Sequence, residues 1–136
     1  MNYWLIKSEP NTWSWADQKR VGTEPWDGVR NYQAANNMKA MKKGDLAFFY
    51  HSVKERKIVG IVEVVKEYYP DPTDDTGRFG MVDFKALEDV KYQVTLQEIK
   101  DDPRLTHLAL VKQSRLSVSP VDQEAWRIIY NKAQER

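Results

Sequence analysis

Trp26-Asp27-Gly28-Val29-Arg30-Asn31-Tyr32 and Phe48-Phe49-Tyr50-His51-Ser52 bracket the stretch on which the reading of this chain turns. Between them Ala34, Met38 and Met41 recur at helical spacing, one face of a short helix. Asn31 stands where an N-cap belongs, and Gly44 where a glycine just past the last turn ends a helix. Asp45 to His51 then reads as a strand apolar on both faces, hence covered on both. A polar, aromatic loop is thereby tied through one short helix to a buried strand that ends in His51-Ser52. Hydrogen-bonding and stacking groups gathered in this way suit a pocket better than a core.

Outward from that stretch, Tyr3 to Lys7 is a short aromatic and β-branched strand, halted at Ser8-Glu9-Pro10 because proline cannot continue a ladder. Ser14 with Asp17 resembles a capping box that opens a helix through Arg20, and Gly22 ends it. Thr23 to Arg30 reads as a loop. Val53 to Lys57 is a charged hairpin loop and Ile58 to Lys66 the returning strand, where Gly60 marks a bulge or a close backbone approach. Tyr68 to Gly77 reads as a loop. Val82, Phe84 and Ala86, then Val90, Tyr92 and Val94, alternate with other residues as one long or two short strands. Thr95 with Glu98 is a second capping box, and Asp102 caps a further turn that has Pro103 at its first position. Ser114 to Val121 is the last strand. Asp122 caps a final helix whose buried stripe is Ala125, Ile128 and Ile129, with Trp126 beside it. Five or six short strands among four or five short helices, without regular βαβ alternation, predict an α+β chain. Its mixed, mostly antiparallel sheet would curl into a small barrel with helices outside. No linker divides it, so residues 1–136 read as one domain.

Composition narrows the function. With 21 Lys and Arg against 20 Asp and Glu, the net charge is +1. That argues against bulk nucleic-acid binding, which works by neutralising many phosphates. The charge is mildly uneven, residues 1–66 being net basic and residues 67–136 net acidic. Without cysteine, and with only His51 and His107, a thiolate or histidine metal centre is not expected, nor is an organic cofactor. No signal-peptide pattern opens the chain and no apolar run approaches a membrane span. The expectation is a cytoplasmic, soluble protein that makes no use of a membrane, a monomer in preference to an oligomer. Five Trp and seven Tyr are many for this length, and Trp offers a broad flat face to a planar ligand.

Catalytic patterns are weak. His51-Ser52 suggests a base beside a nucleophile, yet neighbours on a strand point to opposite faces. There is no Gly-x-Ser-x-Gly elbow and no glycine-rich phosphate loop. Binding fits better. Lys7 and Ser8 end the first strand, and Trp26, Asn31 and Tyr32 flank the start of the helix. Tyr50, His51 and Ser52 end the second strand, and Arg115 and Ser117 lie in the last. If these ends converge they make an aromatic wall with donors and acceptors, which is what a flipped or single-stranded base requires. Each residue also has a plainer reading: Trp26 as a core plug, Asn31 and Ser52 in capping and turns, Arg115 in an internal ion pair.

Longer motifs sharpen this. Tyr3-Trp4-Leu5-Ile6-Lys7-Ser8-Glu9-Pro10, Trp26 through Ala34, Gly44-Asp45, Phe48 through Ser52, Val59-Gly60, Pro70-Asp71-Pro72-Thr73, Leu110-Val111 and Ser114 through Val121 with Trp126 closely resemble the EVE domain family. The resemblance covers nearly the whole chain, weakest over Phe79 to Val94. It implies a PUA-like fold and a reader of modified bases in DNA or RNA that needs no catalysis. The family resembles the YTH domains, in which a Lys-Ser at the end of the first strand and a Trp after the first helix line an aromatic cage that holds a methylated adenine. The matching positions here are Lys7, Ser8 and Trp26. A second cage Trp is lacking between Ser52 and Ile58. Residues and resemblance together give a base-binding set of Lys7, Ser8, Trp26, Val29, Asn31, Tyr32, Phe48, Tyr50, His51, Ser52, Arg115 and Ser117. The alternatives are an enzyme acting on a nucleotide or modified base, and an RNA-binding adaptor without base specificity.

Overall fold

A computed structural model describes residues 1–135. Its first strand, β1 (Tyr3–Ser8), lies inside the sheet, between two strands that are remote from it in sequence. The elements that follow are α1 (Trp15–Val21), β2 (Thr23–Pro25), α2 (Tyr32–Ala40), β3 (Leu46–His51), β4 (Lys57–Pro70) and β5 (Gly80–Thr95). The chain ends in α3 (Leu96–Asp101), α4 (Ala109–Lys112), β6 (Val118–Val121) and α5 (Gln123–Gln134). The strand order is β2-β5-β4-β3-β1-β6. Among the described residues only β1 and β3 run parallel, and the other pairings are antiparallel. This is the curled mixed sheet expected of the sequence. Its edge strands β2 and β6 do not pair, so the curl does not close.

Both faces of the sheet are covered, and strand alternation decides which residue serves which face. Trp4 and Ile6 of β1, with Ala47 and Phe49 of β3, join Met38 of α2 and Trp15 of α1 in one core cluster. Leu5, Phe48 and Tyr50 join Ile99 of α3 with Trp126 and Ile129 of α5 in the other. Each large side chain so buried contributes roughly 1.5–3 kcal/mol. Phe48 stacks on Trp126 with ring centroids 3.8 Å apart, and Trp126 in turn on Tyr3 at 4.5 Å.

Local signals place the helix starts. Ser14 with Asp17 and Thr95 with Glu98 form complete capping boxes, and the Asn31 and Asp122 side chains accept from the N–H groups of Ala34 and Ala125. Gly44 does something other than end α2. The helix stops at Ala40, and Gly44 takes a φ of +97° in the following turn, where its N–H meets Val64 O at 2.8 Å. The buried Asp45 carboxylate ties that turn by accepting from Asn2 N, Trp4 Nε1 and Lys42 N.

Several boundaries differ from those expected. The loop over residues 23–30 contains β2, because Thr23, Glu24 and Pro25 find partners on Lys85, Phe84 and Asp83. Strand β4 runs on to Pro70, since Tyr69 and Pro70 pair with Met81 and Gly80. The second half of the pair, Gly80 to Thr95, is one long strand. Residues 114–117 are not strand: Leu116 N turns back to Gln113 O, and only Val118–Val121 pair with β1. Asp102 accepts from Arg104 N within a series of turns, and α4 begins only at Ala109. Gly60 satisfies both readings given to it. The β3–β4 register shifts between Phe49 and Tyr50 and the β4–β5 register between Ile58 and Gly60. A Cβ on Gly60 would lie 2.2 Å from the Trp15 ring.

Candidate nucleic-acid interface

Lys7 and Ser8 are neighbours at the end of β1, so their side chains belong to opposite faces of the sheet. That alternation divides the predicted site into two clefts with a shared wall of Lys7 and Ser117.

The first cleft, about 440 Å3, contains Ser8, Trp13, Trp26 and Val29, with Glu9, Glu24 and Asp27 among its walls. This is within the roughly 300–1,000 Å3 of small-ligand sites. Each aromatic wall is held from behind. Trp26 is half-buried and meets Phe49 and Phe84 edge to face, each at 5.7 Å, while its backbone N–H donates to Val82 O at 2.8 Å. Trp13 donates Nε1–H to the Gln18 side-chain oxygen at 2.9 Å. Gln18 is fully buried and its amide donates to the carbonyls of Gly22 and Phe84, so it is fixed as well. The Ser8 hydroxyl donates to the Trp13 carbonyl, closing the turn after β1.

Below Trp26, the loop is tied by Asp71, whose side chain is wholly inaccessible. It accepts from Gly28 N at 2.8 Å, Arg30 Nη1 at 3.0 Å, and Thr73 N and Oγ1. Burial pushes its carboxyl up, but hydrogen bonds from Thr73, Gly28 and Arg30 prevail and hold it at about 2. Glu24 shifts the other way. Burial raises it above the ordinary carboxylate range, and Asp27 and Asp83 add to the effect.

The second cleft, about 470 Å3, is on the other face and brings Tyr50, Ser52 and Arg115 together with Arg56 and Lys100. Lys7 Nζ donates to Ser114 O at 2.8 Å, and burial lowers its ammonium below the ordinary value. Tyr50 is buried and its phenol is pushed up by that burial. The Ser52 N–H donates to Ser8 O at 2.9 Å, holding the ends of β1 and β3 in step.

Of the residues singled out from sequence, Lys7, Ser8, Trp26, Val29 and Ser117 meet in the first cleft, and Tyr50, Ser52 and Arg115 in the second. The other four lie elsewhere. Phe48 is fully buried under α5, because the face of β3 that it shares with Tyr50 is a core face. His51 is occupied: Nε2 accepts from Trp15 N at 3.0 Å and Nδ1 meets Glu55 Oε1 at 2.9 Å. Accepting at Nε2 puts the ring proton on Nδ1, and it removes the nitrogen that a general base would use on Ser52. Asn31 caps α2 and borders a shallower cleft beside Arg115. Tyr32 is exposed and lies against Phe79 with ring centroids 4.9 Å apart. Sequence reasoning passed over Trp13, Glu24, Arg56 and Lys100. Trp13 carried a usable signal, a tryptophan in the turn between a strand-ending Ser-Glu-Pro and a helix-capping serine. Among the described residues no three His, Asp or Glu side chains converge as a metal would need, and no helix is long and apolar enough to cross a membrane.

Comparison with known proteins bears on this arrangement. The EVE domain family model matches residues 2–132. Thymocyte nuclear protein 1 of Mus musculus is 38% identical over 162 residues, covering 94% of this chain and 72% of the relative. The NMR structure of Rpa0253 from Rhodopseudomonas palustris superposes with a TM-score of 0.93 at 50% identity, covering 98% of this chain and 93% of that one. A crystal structure of human THYN1 protein in complex with 5-methylcytosine containing DNA superposes with a TM-score of 0.94 at 33% identity, covering 100% and 99%.

Proposed function

The chain belongs to the EVE domain family, and from that membership we propose that it is a non-catalytic module that binds nucleic acid by holding a modified nucleobase in the cleft between Ser8 and Trp26. The observation that carries the reading is a pair of braced indoles, Trp13 and Trp26, on a cleft rimmed by hydrogen-bonding groups. A flat aromatic face holds a base by stacking, worth about 1–3 kcal/mol per base. A methyl group on that base adds dispersion contact with the ring. Trp13 supplies the second tryptophan that the sequence lacked between Ser52 and Ile58.

The carboxylates give the cleft its chemical preference. Glu9, Glu24 and Asp27 outnumber Lys7 and Arg30, and Arg30 is already paired with Asp71, so the lining disfavours a phosphate while its carboxylates accept from an exocyclic amine. The cleft therefore suits the base end of a nucleotide, and among bases those with an amino group. The related human THYN1 protein, in complex with DNA containing 5-methylcytosine, supports a methylated cytosine as the first ligand to try.

The test is fluorescence anisotropy on matched DNA and RNA oligonucleotides carrying 5-methylcytosine or cytosine. The methylated strand is expected to bind more tightly, and Trp26→Ala to lose about 1–3 kcal/mol of that affinity together with the preference. Trp26→Phe should retain part of both. A folded Trp26→Ala protein with undiminished preference would place the base elsewhere, and turnover of the oligonucleotide would replace the binding reading with an enzymatic one.

A further inference from the structure

The cleft that takes the base sets Glu9, Glu24 and Asp27 against Lys7 and an Arg30 already paired with Asp71, so the phosphates that accompany a base in a strand need other ground. The groove on the opposite face supplies it: Lys7, Arg56, Lys100 and Arg115 line it, and no carboxylate does among the described residues. In a chain of net charge +1, four cations along one groove are a local departure from the average. Their donors are largely free. Among the described residues the Arg56 side chain uses only Nε, on Val53 O at 2.8 Å, and Lys7 Nζ keeps two protons beyond its bond to Ser114 O. Lys100 and Arg115 are exposed and make no ion pair among the described residues. The two clefts also adjoin, since Lys7 and Ser117 line both.

We propose that this groove carries the phosphodiester backbone of the strand whose base enters the first cleft, with Arg56, Lys100 and Arg115 as phosphate contacts and Lys7 at the crossing between base and backbone. The inference rests on the base-binding reading for its polarity, since the base lies on the Ser8 side of β1 and the phosphates on the Lys7 side. It also explains how a nearly neutral chain binds a polyanion, for only this groove has to be cationic. The partner is a polynucleotide, not a free nucleoside, and the groove contributes affinity without choosing the base.

The test compares the wild-type chain with Lys100→Gln/Arg115→Gln, two exposed positions away from both cores. Each protein is titrated with modified and plain oligonucleotides between 50 and 200 mM salt, and with the free modified nucleoside. The double variant should bind both oligonucleotides about 10–100-fold more weakly at low salt. The slope of log K against log salt should flatten by about 1.4 for single strands or about 1.8 for duplex, while the ratio between modified and plain strands stays unchanged. Nucleoside affinity should not move, which also certifies the fold. Lys100→Glu alone should flatten the slope further than Lys100→Gln. An unchanged slope, or a lost nucleoside affinity in a folded variant, overturns the proposal. If the wild type does not prefer the modified strand but the slope still flattens, the base reading falls and the groove stands. Absence of oligonucleotide binding by the wild type overturns both.

Discussion

Replacing Gly60 by alanine tests the packing that holds the site's framework together. The new methyl would lie 2.2, 2.3 and 2.6 Å from three atoms of the Trp15 indole. That ring cannot retreat freely. Its Nε1 donates to Asp89 at 2.7 Å, its backbone N–H to His51 at 3.0 Å, and its face packs on Phe49 at 5.2 Å. Overpacking of this kind costs about 1–3 kcal/mol, and a doubly anchored ring puts the expectation at the upper end. Gly60 does not have a positive φ, so the backbone itself admits alanine. Once Trp15 is shortened to leucine, the same Gly60→Ala change should therefore stabilise the strand by about 0.5–1 kcal/mol through reduced backbone entropy. The assay is urea unfolding of the four proteins of a double-mutant cycle, comparing midpoints at constant slope. The predicted result is a reversal of sign between the two backgrounds. If Gly60→Ala has the same effect whether or not Trp15 is present, the close approach does not govern this part of the fold.

The remaining expectations concern the loop and the cap. The Asp71 carboxyl falls from an ordinary 3.8 to about 2 in the fold, so its contribution to stability is complete above about pH 4 and disappears as pH falls through about 2. Asp71→Asn should lower stability at neutral pH and remove about one proton from the acid limb of a pH–stability curve, and an unaltered limb would count against the assignment. Asn31→Ala should cost about 0.5–2 kcal/mol of stability, because it strips the cap from α2, while leaving the modified-to-plain binding ratio intact. A change in that ratio would return Asn31 to the binding site.

What could be read from the sequence followed the range of the interaction. Ser14 with Asp17, Thr95 with Glu98, Asn31 and Asp122 were legible because a cap is settled within four residues. The strand at residues 46–51 was legible as buried, but its alternation says only that Phe48 and Phe49 differ in face. It does not say that the Phe48 face would be covered by α5, which arrives 75 residues later. His51 looked available because its partner, the Trp15 N–H, is 36 positions away. The basic groove escaped notice for the same reason. Arg56 comes from a hairpin, Lys100 from the end of α3 and Arg115 from a turn before β6, and no local pattern links them.

The position of β1 governs the order in which the binding surface can come into being. This strand is flanked by β3 on one side and β6 on the other, and Lys7 N donates to Ser117 O. On a ribosome, β1 can dock beside β3 once some 50 residues have emerged, but the wall supplied by Ser117 arrives only after more than twice that length. A nascent chain thus passes through a long interval in which the β1 edge later claimed by β6 is open to other strands. Closure of so distant a contact is intrinsically slow. Because Ser117 lines both clefts, neither cleft has its full wall until that last edge has been sealed.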